Sequence, residues 1–171
     1  MYSKKRIFLT GILFLLLVAL IAISWKFSSE NSTQSNNVSM HIAEQIENHL
    51  NKYFDINRGD TFWKITFNEL LRKAAHFCEY AVIGTVMCAM LNVAIRRVWP
   101  SALISVLVSP IFGLVDEYHQ RFSPMRTPRL LDVCIDSAGI WTGIIIVTIF
   151  FLVFNYIKKL KRRIEELEKV R

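Results

Sequence analysis

GLVDEYHQRFSPMRTPRLLDVCIDSAG, residues 113–139, is the stretch on which the reading of this chain turns. It joins two long apolar runs, Val98–Val115 and Val133–Phe154. Into one short interval it gathers Asp116, Glu117, His119, Gln120, Arg121, Arg126, Arg129, Asp132 and Asp136. Ionisable residues at the ends of membrane helices are costly unless they face protein or water, so such a cluster marks a functional site by default. A second stretch, Arg72-Lys73-Ala74-Ala75-His76-Phe77-Cys78-Glu79-Tyr80, carries complementary polar groups.

The flanking runs set the class of protein. At 171 residues the length fits one domain. The chain is 53% hydrophobic and 20% charged, and its apolar residues come in blocks rather than in amphipathic periods, which excludes a disordered chain and argues against a soluble globule. A net charge of +7 would suit nucleic acid, but the basic residues flank the apolar blocks, as they do in membrane topologies. No nucleic-acid partner is expected. Cys78, Cys88 and Cys134 show no CxxC spacing, so neither a zinc knuckle nor a disulfide framework is implied. Buried free thiols acting as small apolar residues are expected in preference to a Cys78–Cys134 bridge.

Working outward gives four spans. Lys4, Lys5 and Arg6 precede the uncharged run Ile7–Trp25, which is long enough to cross the hydrocarbon core. No small-x-small cleavage site follows it, so an uncleaved anchor is expected. Ala74–Ile95 is the second span, closed by Arg96 and Arg97. Pro100 opens the third, and Val133–Phe154, closed by Lys158–Arg163, is the fourth. The expected fold is all-α, a four-helix integral membrane bundle with both termini cytoplasmic by the positive-inside rule. Four regions follow: residues 1–27 as N-terminus and anchor, 28–72 as extracellular linker and interfacial helices, 73–157 as a three-span core, and 158–171 as a basic tail. Within 28–72, the Ser/Asn-rich segment 28–39 reads as an exposed linker, and Ile42, Ile46, Leu50 and Phe54 share one face of an amphipathic helix. In the tail, Ile157, Leu160, Ile164 and Leu167 recur at three-four-three spacing over about two heptads, too short to establish a coiled coil. Basic side chains snorkelling to anionic lipid account for the same residues.

In this topology both polar stretches fall at the outer membrane surface. Positions three or four apart share a helix face. His76 therefore aligns with Arg72 or Lys73 on one side and with Glu79 and Tyr80 on the other. Asp116 aligns with His119 and Gln120, and Asp132 with Asp136. Continuing that last face gives Gly139 and Gly143, a pair that lets another helix approach closely. Arg121, Arg126 and Arg129 on the outside need a reason, either pairing with the acids or binding an external anion. Pro124 and Pro128 stiffen the loop that presents Arg126. An ion-pair network that only satisfies buried charge fits the matched numbers of acids and bases equally well. The acids and histidines offer ligands for a divalent cation, but their spacing matches no metal motif and the arginines oppose one, so no metal and no cofactor is expected. His76, His119, Asp116 and Glu117 are the candidates for acid–base catalysis, although no nucleophile stands beside either histidine in a recognisable arrangement.

The motifs Lys73-x-x-His76-Phe77-x-Glu79-Tyr80 and Asp116-Glu117-x-His119-Gln120-x-Phe122-x-Pro124-x-Arg126 resemble those of the VanZ-like family of bacterial membrane proteins. The resemblance continues with Asp132-x-x-x-Asp136-x-x-Gly139-x-x-x-Gly143 and covers most of the chain. Met125 stands where the family usually has glycine. The resemblance implies a multi-pass protein of the bacterial cell membrane, linked in some members to reduced susceptibility to teicoplanin-type glycopeptides. It supplies no defined reaction. The first expectation is a recognition protein for membrane lipid or a lipid-linked envelope precursor. Arg72, Lys73 and Arg126 would engage phosphate or carboxylate, with His76, Glu79, Tyr80, Asp116, Glu117, His119, Gln120, Asp132 and Asp136 completing the site. An enzyme acting on a lipid-linked phosphate or ester at the same site, and a small transporter, are the alternatives.

Overall fold

The computed structural model describes residues 4–29, 40–42, 44–46, 49, 61–120 and 130–170, and every secondary-structure element among them is helical. The four long elements are α1 (Lys4–Ser29), α2 (Thr61–Ile95), α3 (Val98–Gln120) and α4 (Leu130–Val170). Each contains a segment long and apolar enough to cross a membrane: Lys4–Lys26, Thr66–Ile95, Val98–Asp116 and Leu131–Lys169. The four expected spans fall inside these helices. Residues 40–42, 44–46 and 49 are helical too, within the expected amphipathic segment, whereas the linker 30–39 lies outside the described residues.

Two helices are longer than the sequence patterning suggests. The interfacial helix after Thr61 and the second span are one uninterrupted element, so the boundary placed at residues 72–73 falls inside α2. No proline or glycine breaks the chain between Thr61 and Ile83, and Lys64, Glu69, Arg72, Lys73 and Glu79 there have good helix propensity. At 35 residues α2 runs to about 52 Å, well beyond a hydrocarbon core of about 30 Å. The fourth span likewise continues without a break through the basic segment to Val170.

A turn of two residues joins α2 to α3. Arg96 takes φ 63°, and its N–H bonds the Asn92 carbonyl at 2.8 Å, the left-handed closure that commonly ends a helix. A side chain in that conformation costs about 1–2 kcal/mol relative to glycine. The turn reverses the chain, so α3 runs antiparallel to α2.

The α2–α4 contact is the tightest in the bundle, and glycines make it. A Cβ on Gly139 would run into the Phe77 carbonyl, and one on Gly143 into the Ala81 carbonyl and the Thr85 amide. From the other side, a Cβ on Gly84 would meet the Ile140 backbone. The expected Gly139/Gly143 face therefore has its partner within the same chain. Both contacts advance in step along the two helices, so α2 and α4 are parallel. Lipid tails are as apolar as leucine, so close backbone packing, rather than hydrophobic burial, holds such helices together. Ile83, Met87, Cys88, Ile140, Ile144 and Val147 fill the space around the glycines, and Leu17 of α1 joins them. Leu103, Leu107, Ile145, Ile149 and Phe150 face outward, where lipid rather than water is their natural solvent.

α3 carries Pro110 in its interior, which removes the N–H that would have bonded the Val106 carbonyl. The Ser109 hydroxyl donates to that carbonyl at 2.8 Å and in turn accepts the Trp141 indole N–H of α4 at 2.8 Å. One serine thus repairs the proline break and ties α3 to α4. Ser101 and Ser105, two turns and one turn away, are fully buried and return their hydroxyls to the Arg97 and Ser101 carbonyls. Ser109→Ala is expected to leave both the carbonyl and the indole without partners, at about 1–3 kcal/mol for each buried group. Its melting temperature in detergent should fall clearly, and Ser105→Ala, after which the Cys88 thiol that it also touches keeps its Thr148 partner, should change it less.

Candidate functional site

Because α3 is antiparallel to α2 while α4 is parallel to it, the end of α3 meets the start of α4 and the middle of α2. Asp116 and Asp136 arrive there buried, at 0% and 3% exposure, beside Tyr80 at 2%. The Tyr80 hydroxyl faces Asp116 and Ser24, with Asp136 also in range. Glu79, half-buried, faces Ser24 and feels Asp116. His76 reaches from α2 to α4, its Nδ1 4.0 Å from Asp136 Oδ1. Four helices therefore contribute to one cluster, from Ser24 on α1, His76, Glu79 and Tyr80 on α2, Asp116 on α3, and Asp136 on α4.

The burial follows from local sequence. Gly113 lies one turn before Asp116 and brings α3 so close to α4 that a Cβ there would sit 3.3 Å from Val133 Cγ1 and 3.8 Å from Asp136 Cβ. Asp136 lies one turn before Gly139–Ile140, where α4 touches the α2 backbone. Both carboxylates are thus held on faces that close helix packing removes from solvent.

Other expected site residues are placed differently. Lys73 Nζ pairs with Glu69 Oε1 at 2.9 Å along α2, a partly exposed i,i+4 pair rather than a contact within the cluster. Arg72 is partly buried on α2, and Asp132, also partly buried, precedes Asp136 by one turn. Glu117, His119 and Gln120 belong to the last turn of α3, but their side chains lie outside the described residues, as do Arg121, Arg126 and Arg129 entirely. All three cysteines are free, but burial was expected for all and holds only for Cys88, 3.9 Å from the Thr148 hydroxyl; Cys78 and Cys134 lie on exposed helix faces. Among the described residues no three His, Cys, Asp or Glu side chains stand together as metal ligands.

Chemically, the arrangement offers buried acceptors, a phenol and an imidazole oriented by a carboxylate. Asp136 can fix the orientation of the His76 ring. Asp116 can accept from the Tyr80 hydroxyl. Such a cluster can hold cationic side chains in fixed poses, or pass a proton through His76.

Ser24 was not among the residues singled out by sequence, since a lone serine inside an anchor-like run carries no signal. Gly84 was also missed, although its spacing from Ala81 and Cys88 marks a small-residue face. Pro110 preceded directly by serine was the readable sign of the α3–α4 tie. The model of one protein family, described as VanZ/LLP1, matches residues 11–152, from within α1 to within α4. No curated protein and no solved structure matches the chain.

Proposed function

The chain belongs to the VanZ/LLP1 family, and on that premise we propose that this integral membrane protein recognises an anionic lipid or lipid-linked wall precursor at the outer leaflet of a bacterial cell membrane. Reduced susceptibility to teicoplanin-type glycopeptides is the phenotype by which this role would be read. The observation that carries the reading is the convergence of Asp116, Asp136 and Glu79 around Tyr80, with His76 beside them. Buried carboxylates in a membrane bundle need cationic partners. The segment linking Asp116 to Asp136 supplies Arg121, Arg126 and Arg129. In this reading the acids hold the arginine forks in place and the forks grip phosphate or carboxylate. The basic groups Lys4–Arg6, Arg96–Arg97 and Lys158–Arg163 lie toward the opposite end of the bundle, which supports placing the cluster outside.

Arg126→Lys tests this role. Lysine keeps the charge and loses the planar two-donor fork. The variant should accumulate normally in membranes yet lose its effect in a glycopeptide-susceptibility assay. Full activity of Arg126→Lys would remove the anion-recognition role and leave the cluster as scaffold.

The His76–Asp136 pair favours a second reading, acid–base catalysis on a lipid-linked phosphate or ester with His76 as the proton-transfer group. The two separate on turnover, because only an enzyme converts labelled precursor when purified protein is reconstituted in lipid.

A further inference from the structure

Among the described residues the last part of α4 has no partner: residues 152–169 are all exposed. Along it runs a continuous apolar stripe, Phe150, Val153, Ile157, Leu160, Ile164 and Leu167, each more than a third exposed. These six hold the a and d positions of three successive heptads, with Ile157 and Ile164 at a and Leu160 and Leu167 at d. Isoleucine at a with leucine at d favours two parallel strands over higher orders.

Lipid does not account for the stripe. Apolar sequence in α4 ends near Ile157. At 1.5 Å per residue, Leu167 stands about 15 Å farther along a straight helix, beyond a headgroup layer of roughly 5–8 Å. There Leu167 is 72% exposed.

We propose that a second copy of this chain covers the stripe, the two α4 helices forming a parallel two-stranded coiled coil that starts in the membrane and continues past it. Two copies inserted the same way have parallel α4 helices by necessity, whichever face of the membrane they project from. In that register Arg163 occupies g and Glu168 occupies the following e position, so each copy sets Arg163 opposite Glu168 of the other. The helix is anchored in the same bilayer as its mate, which raises the effective concentration and makes a short pairing segment sufficient. The pairing is independent of what the polar cluster binds.

Single cysteines in a background with Cys78, Cys88 and Cys134 replaced by serine test the geometry in native membranes. Leu160→Cys and Leu167→Cys sit on the seam and should form disulfide-linked dimers about tenfold faster than Glu165→Cys and Arg162→Cys, which point away from it. Charge reversal tests the register in the full-length protein. Arg163→Glu sets carboxylates face to face, Glu168→Arg sets guanidiniums face to face, and either should lower the seam crosslinking several-fold. The double reversal should restore it. Crosslinking equal at all four positions, or none at any, would overturn the proposal and leave lipid or a different protein as the occupant. A seam pattern that the double reversal fails to restore would overturn the parallel register.

Discussion

Gly143→Ala is expected to unfold or severely deplete the protein, although it adds a single methyl group. That methyl would enter the space of the Ala81 carbonyl and lie 2.8 Å from the Thr85 amide. These are backbone atoms of α2, and no rotamer change moves them away. The helices must separate along the contact that organises the bundle. Overpacking a core costs about 1–3 kcal/mol, and a clash with backbone belongs at or above the top of that range. Two other glycines set the scale. Gly113→Ala meets the Val133 side chain at 3.3 Å, which can give way, so a loss nearer 1 kcal/mol is expected. Gly11→Ala meets nothing within 4 Å and should be neutral or stabilising by roughly 0.5–1 kcal/mol through helix propensity. Melting temperatures of the three variants in one detergent should fall in that order.

Asp136→Asn is expected to be the most damaging change within the cluster. Asp136 is buried, and His76 loses its charged partner when the carboxylate goes. Breaking a fully buried pair costs roughly 3–5 kcal/mol. The His76 side chain keeps 24% exposure and stands at 4.0 Å, so about 1–3 kcal/mol is the better expectation here. Membrane abundance should drop accordingly, whatever the cluster binds. Adding His76→Gln should recover part of the loss, because an amide can both donate to and accept from the new amide at 136. A double-mutant cycle that returns no coupling would show that the two residues do not act as a pair.

Legibility of the fold in the sequence followed physical scale. Span positions depend on blocks of about 20 apolar residues, and these survive any detail of packing. The Gly139–Gly143 face was readable because small residues four apart have one dominant use in a membrane. Its partner was not, since nothing in a single sequence says that Phe77, Ala81 and Thr85 will lie against it. The continuity of α2 was hidden because the polar residues Glu69, Arg72 and Lys73 mimic an interfacial break while having good helix propensity. Within the site, Asp116, Asp136, Tyr80 and His76 stood out because charge beside apolar runs is rare. Their face-sharing with neighbours on the same helix was readable, but the pairing of His76 with Asp136 across two helices was not. Lys73 was read as facing the ligand because charge alone does not reveal a pairing with Glu69 one turn away.

The central claim is that the cluster around Tyr80 is a headgroup site and not only a charge-balanced joint between helices. Native mass spectrometry of the protein released from its own membranes with lipid retained addresses it directly. Wild-type protein should carry one phosphorylated amphiphile enriched well above its share of the bulk membrane. Tyr80→Phe, which deletes only the hydroxyl facing Ser24 and Asp116, should lose most of it while remaining folded. Wild-type protein carrying lipids only in bulk proportion, unchanged by Tyr80→Phe, would contradict the account.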